Sequence, residues 1–366
     1  MKKLLSVLML IMILAISLVG CQTQEQQPQT EEEAAEPSII HIYSTDETIA
    51  QKFEYVWEKH TEWKDRVEFV VLPEEGYAET IDALFEGPLP VEENEGTEEP
   101  AEPVEYKYPD IVIADSSVVS HFTESDKILA IEDLGIVADD LEQMYEYTLK
   151  EVTTEEGALK GITWKANPGA FVYRKSIALE CIGYDDEDNV QSFLKDWETL
   201  ADTARVVEKK TDGNIHIIDN VDLSTMEYDI ASIDMSDINY FKNINLGRVF
   251  GYFCTADMIE KLDKACKGDG RGDWAVCAGP QNFVGDGTWL FAAKDCSDKE
   301  FAGEVMKALC TESDVLKKIF ENDNDFVNNM RVMSNAYNSG KGKTELFGSG
   351  EYIAVYSKAA QKAGQE

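Results

Sequence analysis

From Ser38 onward the chain alternates between two periodicities. SIIHIYS (38–44) is a short apolar run of β-branched and aromatic residues and predicts a strand. DETIAQKFEYVWEKH, which follows, sets Ile49, Phe53, Val56 and Trp57 on one helical stripe, with Asp46 as the candidate cap. VEFVVL (67–72) predicts a second strand, GYAETIDALF (76–85) a second helix and DIVIAD (110–115) a third strand. Strand, helix, strand, helix, strand is the pattern of a parallel sheet with helices on its faces. Ligands of such sheets bind beyond the carboxyl ends of the strands. That rule points to Tyr43, Ser44, Thr45 and Asp46 after the first strand and to Asp115, Ser116 and Ser117 after the third.

Farther along, DDLEQMYEYTLKEV (139–152) predicts a helix, and ALKGITWKANPGAFVYRKS (158–176) predicts two strands about a turn at Asn167-Pro168-Gly169. Helical spacing returns at 190–210 and 255–266, whereas 211–250 has no clear period. TWLFAAKD (288–295) predicts a strand. SDKEFAGEVMKALC (297–310) predicts a helix opened by a Ser297/Glu300 capping box, with Phe301, Val305, Leu309 and Cys310 on its core face. The tail from 343 ends in a short helix.

The N-terminus changes where this chain is expected to live. MKKLLSVLMLIMILAISLVGC has two lysines, an apolar run from Leu4 to Val19 and small residues before Cys21. The run is shorter than the about 20 residues that span a bilayer, and its grammar is that of an export signal, so residues 1–20 are excluded from the fold. Leu18-Val19-Gly20-Cys21 resembles the bacterial lipobox, in which the cysteine receives a diacylglycerol and becomes the new first residue. A diacylated cysteine gives stable anchoring, which places the mature chain on the extracellular face of the cell membrane. Residues 21–37, rich in Gln, Glu and Pro and without an aromatic, predict a disordered acidic tether. The stretch 88–106, with seven glutamates and four prolines, predicts a second disordered segment, a solvated loop.

The net charge of −38 repels phosphate backbones and disfavours nucleic acid as a partner. With 43% hydrophobic residues the roughly 330 residues from 38 onward can bury a sizeable core and are comfortable as two domains. Six cysteines besides Cys21, at 181, 254, 266, 277, 296 and 310, form no CxxC pair. They could pair in about 15 ways, but a chain this size needs no disulfides, and free buried thiols are expected.

Several motifs dissolve on inspection. GKGKT (340–344) lacks the first glycine of a phosphate loop, where Tyr337 stands. NDNDFVNN (322–329) lacks the glycine and terminal glutamate of a calcium loop. His41, His60, His121 and His216 show no metal-ligand spacing. Cys277 lies in the apolar run Ala-Val-Cys-Ala without a nearby histidine to make it a thiolate, so a buried thiol is the expectation. A carboxylate pair suited to glycoside hydrolysis stays open only because 71 acidic residues make any pair possible.

Four blocks in order carry a resemblance: YPDIVIADSSVVSHFTESDKILAIEDLG, KGITWKANPGAFVYRKS, GDWAVCAGPQNFVGDGTW and DFVNNMRVM. With the lipobox they make the chain similar to the extracellular solute-binding proteins, family 1, of carbohydrate-type ABC importers, a maltose-binding-protein-like group. The resemblance implies an α/β, two-lobe periplasmic-binding-protein-like fold of type II with a hinge between lobes. It places 38–148 plus 288–320 in lobe one and 149–287 plus 321–366 in lobe two. It implies a small solute, sugar or oligosaccharide, held between the lobes and delivered to ABC permease membrane subunits. No enzyme activity, cofactor or metal is implied.

Because an aromatic face buries the apolar face of a pyranose, the resemblance nominates Trp164, Tyr173, Trp274 and Trp289 for the pocket or its rim, beside Tyr43. Asp46, Asp115 and Asp286 are nominated as hydroxyl acceptors. The chain departs from the group at Phe283-Val284-Gly285-Asp286, where sugar-binding relatives carry Phe-Trp-Gly-Gly, and between 215 and 250, where its second lobe is shorter. These departures leave a second reading, a surface sensory or interaction protein that kept the fold and lost transport.

Overall fold

The computed structural model describes residues 38–89, 106–219, 221, 223, 228–341, 344–347 and 352–363. The expected export signal, lipidation site, tether and most of the acidic loop therefore lie outside the described residues. Strands are β1 (Ile40–Ser44), β2 (Val67–Val71), β3 (Ile111–Asp115), β4 (Gly161–Ile162), β5 (Gly169–Arg174), β6 (His216–Ile218), β7 (Val249–Thr255), β8 (Trp274–Cys277) and β9 (Thr288–Ala292). They form two sheets, ordered β2-β1-β3-β9-β4 and β6-β7-β5-β8. In the first, β1 runs parallel to β2 and β3, and β9 inserts antiparallel between β3 and β4. In the second, β6 is parallel to β7, and β5 is antiparallel to both β7 and β8. The architecture is the expected two-sheet α/β one.

Central strands are buried on both faces, which is why they read as continuous apolar runs: Ile111 to Ala114, Ala170 to Tyr173, and all seven residues of β7. Helix α1 (Ile49–Trp57) buries the predicted stripe of Ile49, Phe53, Val56 and Trp57, and α2 (Tyr77–Glu86) buries Tyr77, Ile81, Leu84 and Phe85. Three short helices follow, α3 (Val119–Thr123), α4 (Ala138–Leu141) and α5 (Glu146–Lys150). The single helix predicted over 139–152 is split because the Tyr145 N–H donates to Asn328 Oδ1 (2.9 Å) with Tyr145 extended.

In the second lobe, α6 (Lys175–Ile182), α7 (Glu187–Ser192) and α8 (Trp197–Lys210) precede β6, and α9 (Met258–Ala265) follows β7. The helical pattern over 190–210 breaks where Asp196 accepts the Thr199 N–H (2.8 Å) and caps a new helix. The chain closes with α10 (Lys299–Thr311), α11 (Ser313–Asp323), α12 (Met330–Asn338) and α13 (Tyr352–Ala363). Helix α10 buries Phe301, Val305, Leu309 and Cys310 as expected. Its cap is Asp298, which accepts the Phe301 N–H (3.0 Å), and not Ser297. Ser297 is drawn away by Asp110, whose Oδ1 accepts both its N–H and its hydroxyl (2.6 and 2.8 Å) while Oδ2 accepts the His41 N–H (2.7 Å). The six cysteines of 181 to 310 are free and buried.

The predicted pair of strands around Asn167-Pro168-Gly169 is not a hairpin: β4 belongs to the first sheet and β5 to the second. The Asn-Pro-Gly turn carries the chain from one sheet to the other. Because Gly161 and Ile162 pair with Phe291 and Leu290 of β9, the crossing falls after Ile162, later than residue 148.

Candidate functional site at the crossing segments

Three segments pass between the lobes, 163–168, 284–287 and 325–329, and two buried asparagines bind them together. Asn167 donates its N–H to the Tyr147 hydroxyl (2.9 Å) and its Nδ2–H to the Asp286 carbonyl (3.1 Å). Its Oδ1 accepts the Asp257 N–H (3.1 Å) and its carbonyl accepts the Gly285 N–H (2.7 Å). Asn328 accepts from the Tyr145 N–H, donates to the Thr148 hydroxyl (2.9 Å) and the Thr163 carbonyl (3.1 Å), and gives its own N–H to the Trp164 carbonyl (2.7 Å). In both side-chain amides the oxygen and the nitrogen each have a partner, as a buried polar group needs if it is not to cost stability. The start of α5, from Tyr145 to Thr148, is their common partner.

Two glycines let the second crossing lie close. A β-carbon at Gly285 would stand 2.5 Å from Asn167 Nδ2, and one at Gly287 would stand 2.2 Å from the Trp289 ring. The Gly287 N–H donates to the Ser116 hydroxyl (2.7 Å), which ties the segment to the turn after β3.

Above this junction opens a cavity of about 240 Å³ whose lining includes Ser116, Tyr147, Lys165, Asn167, Asp286 and Trp289. The Trp289 indole N–H is committed to the Thr148 carbonyl (2.9 Å), so its ring offers the cavity apolar surface. Burial pushes the Tyr147 phenol well above its ordinary range, so it stays protonated. Its oxygen already accepts from Asn167, which leaves its own proton to donate. Lys165 Nζ stands 3.4 Å from Asp257 Oδ2, linking the first crossing to the end of β7. The arrangement presents an aromatic face, hydroxyl and ammonium donors, and a carboxylate: a lining suited to a small polar solute with some apolar surface.

No protein-family model and no curated protein matches the sequence. Solved structures do match the fold. A family 1 extracellular solute-binding protein aligns with a TM-score of 0.67 at 13% identity over 89% of this chain and 88% of that one. The sugar-binding protein MalE from Xanthomonas citri aligns at 0.58 with 11% identity, over 90% and 96%. The GacH receptor of Streptomyces glaucescens GLA.O aligns at 0.55 with 14% identity, over 89% and 87%. The fold is that of the family 1 extracellular solute-binding proteins.

Within this solute-binding fold the nominated residues separate into two sets. Trp289 and Asp286 line the cavity. Asp115 stands beside Ser116 but spends its Oδ1 on the Ser117 N–H and hydroxyl (2.8 and 2.5 Å). Asp46 is exposed and accepts the Thr48 N–H and hydroxyl (both 2.7 Å), organising the turn into α1. Trp164 is buried, with its indole N–H donated to Asp325 (3.2 Å), and packs beneath the third crossing.

Tyr43, Tyr173 and Trp274 are buried within the sheets. The Tyr43 hydroxyl donates to the Lys107 carbonyl (2.6 Å), and burial pushes it up to about 12. That of Tyr173 donates to the Asp185 carbonyl (3.0 Å), and the Trp274 ring lies 6.1 Å from that of Tyr252. Tyr147 and Lys165, which the sequence reading did not nominate, complete the lining. Nothing in YEYTLKEV separates Tyr147 from Tyr145 as a site residue, because the difference is made by Asn167, 20 residues away.

Proposed function

We propose that this chain is a lipid-anchored extracellular receptor that captures a small carbohydrate between its two lobes and hands it to an ABC permease. The observation that carries the reading is the cavity where Trp289 and Tyr147 meet Ser116, Lys165, Asn167 and Asp286 at the crossing segments. Ligand sites favour such inter-domain positions, and closure selects its ligand because only the bound state gains contacts from both lobes. Support comes from the ligands bound in structures sharing the fold: acarbose for the GacH receptor, maltose for a Staphylococcus aureus protein and α-D-tagatose for a Thermotoga lettingae one. The role is capture without turnover. Cys277, the one nucleophile candidate raised by the sequence, is buried, and burial holds its thiol far above its usual range.

The experiment is thermal unfolding of the mature soluble form against monosaccharides, maltose and longer oligosaccharides, amino acids and peptides. A sugar at about 100 times its dissociation constant stabilises by about 2.7 kcal/mol. Trp289→Ala and Lys165→Ala are each expected to weaken that sugar more than about tenfold, a loss of about 1.4 kcal/mol. A midpoint that no sugar moves sinks the carbohydrate assignment.

A sensory or interaction role is the second reading. It is favoured by Val284, which is 39% exposed where sugar-binding relatives are expected to stack a tryptophan. Under that reading a sugar closes the lobes, but no membrane permease copurifies.

A further inference from the structure

The β6 edge of the second sheet holds a carboxylate that the described residues do not satisfy. Asp219, which directly follows strand β6, is 8% exposed. Its Oδ1 accepts the Nδ2–H of Asn243 (3.0 Å), but its Oδ2 meets no donor among the described residues. The Tyr252 hydroxyl on the neighbouring strand is likewise without a partner, so it does not answer Asp219. A buried acceptor left in this state costs stability, and one that persists calls for a donor supplied from outside the fold.

Asp219 lines a cavity of about 480 Å³, a volume in the range of small-molecule sites, and none of its lining is shared with the cavity at the crossing segments. Arg248, just before β7, lines it too, and its exposed guanidinium makes no ion pair among the described residues. Glu208 and His216 also line the cavity, with His216 Nδ1 3.6 Å from Glu208 Oε1. The cavity therefore presents a buried carboxylate with one unpaired oxygen and, at its mouth, a guanidinium with no ion pair among the described residues. A bare anion would face Asp219, a bare amine would leave Arg248 unmatched, and a ligand carrying both charges answers each.

We propose that this cavity is a second small-molecule site that binds an α-amino acid, with the ammonium on Asp219 and the carboxylate on Arg248. The guanidinium suits the carboxylate because its planar donor array matches two oxygens. The ammonium supplies the missing donor in a setting where a charge-assisted hydrogen bond is strong.

Calorimetric titration of the full chain in detergent with L-alanine, methylamine and acetate tests the assignment. L-alanine is expected to bind, methylamine at least about tenfold more weakly, and acetate not at all. Asp219→Asn and, independently of any effect on the buried position, Arg248→Gln at the exposed rim are each expected to weaken L-alanine more than about tenfold. The proposal is overturned if L-alanine gives no binding, if methylamine binds as well as L-alanine, or if Arg248→Gln leaves L-alanine binding unchanged.

Discussion

The backbone N–H of Asn167 donates to the hydroxyl of Tyr147 at 2.9 Å, so the first crossing between the lobes hangs on a phenol from α5. Both residues are buried. Tyr147→Phe keeps the ring and removes the acceptor, leaving a buried N–H unpaired at a cost of about 1–3 kcal/mol. Urea unfolding should show that loss as a lower midpoint with an unchanged slope. A midpoint equal to that of the parent would mean that water or a neighbour takes over the N–H.

Gly287 is required by Trp289. The alanine β-carbon would lie 2.2 Å from the indole ring, so Gly287→Ala has to displace either the second crossing or the ring. A cost of about 1–3 kcal/mol is expected from the overpacking, with solute affinity lost alongside it. Trp289 fluorescence in a variant lacking the other five tryptophans reports the ring movement directly, and an unshifted spectrum would count against a tight contact.

The six buried thiols make no disulfides. Reductant is therefore expected to leave the thermal midpoint where it is, whereas removing a native disulfide typically costs 2–5 kcal/mol. Thiol titration in denaturant, compared with titration of the native chain, provides the second check: reactivity appears on unfolding. Burial pushes Cys296 up to about 11, so it stays a thiol at neutral pH, and burial raises Cys181 and Cys266 as well.

Acid weakens the fold through carboxyls held below their usual range. Burial pushes Asp140 up, but its hydrogen bond from Lys307, the Val137 N–H and the Lys307 charge outweigh burial and lower it. A carboxyl that is more acidic in the folded chain favours folding wherever it is ionised. That contribution is whole above about pH 4 and is lost as the pH falls through the lowered value. Asp140→Asn should flatten the acid limb of the stability curve there and leave its neutral part less stable by a small margin, since the pair is open to solvent. Equal acid limbs in the two proteins would remove Asp140 from the account.

Cys21→Ala tests the anchor. The expected outcome is release of the exported chain from the membrane fraction into the medium, with the solute-binding fold intact by circular dichroism. Retention on membranes after this change would show that something other than a diacylated cysteine holds the chain.

What could be read from the sequence follows the range of the interactions involved. The apolar runs of β1 and β3 and the stripe of α1 are local patterns, and the structure keeps them. Asp298, one residue from the predicted cap, took the role because Asp110, far away in sequence, claimed Ser297. The same reason hid the hinge. Asn167 reads as a turn former and Asn328 as part of a failed calcium loop, yet each is a buried amide whose partners lie far away in sequence, in three segments for Asn167 and two for Asn328. Of the nominated aromatics, Trp289 reached the cavity because two glycines precede it at the crossing, a local signal. Tyr173 and Trp274 are buried in the second sheet, a placement fixed by the pairing of β5 with β7 and β8 and not by a local pattern.

The place of β9 bears on how the chain is made. Residues 288–292 sit between β3 and β4, so the first sheet lacks an inner strand until residue 292 has been synthesised. A ribosome that has delivered β1 to β3 has delivered only part of a lobe, with the flank of β3 still unpaired. The nascent chain is thereby kept from completing its first sheet early. The late strand is a timing element as well as a structural one.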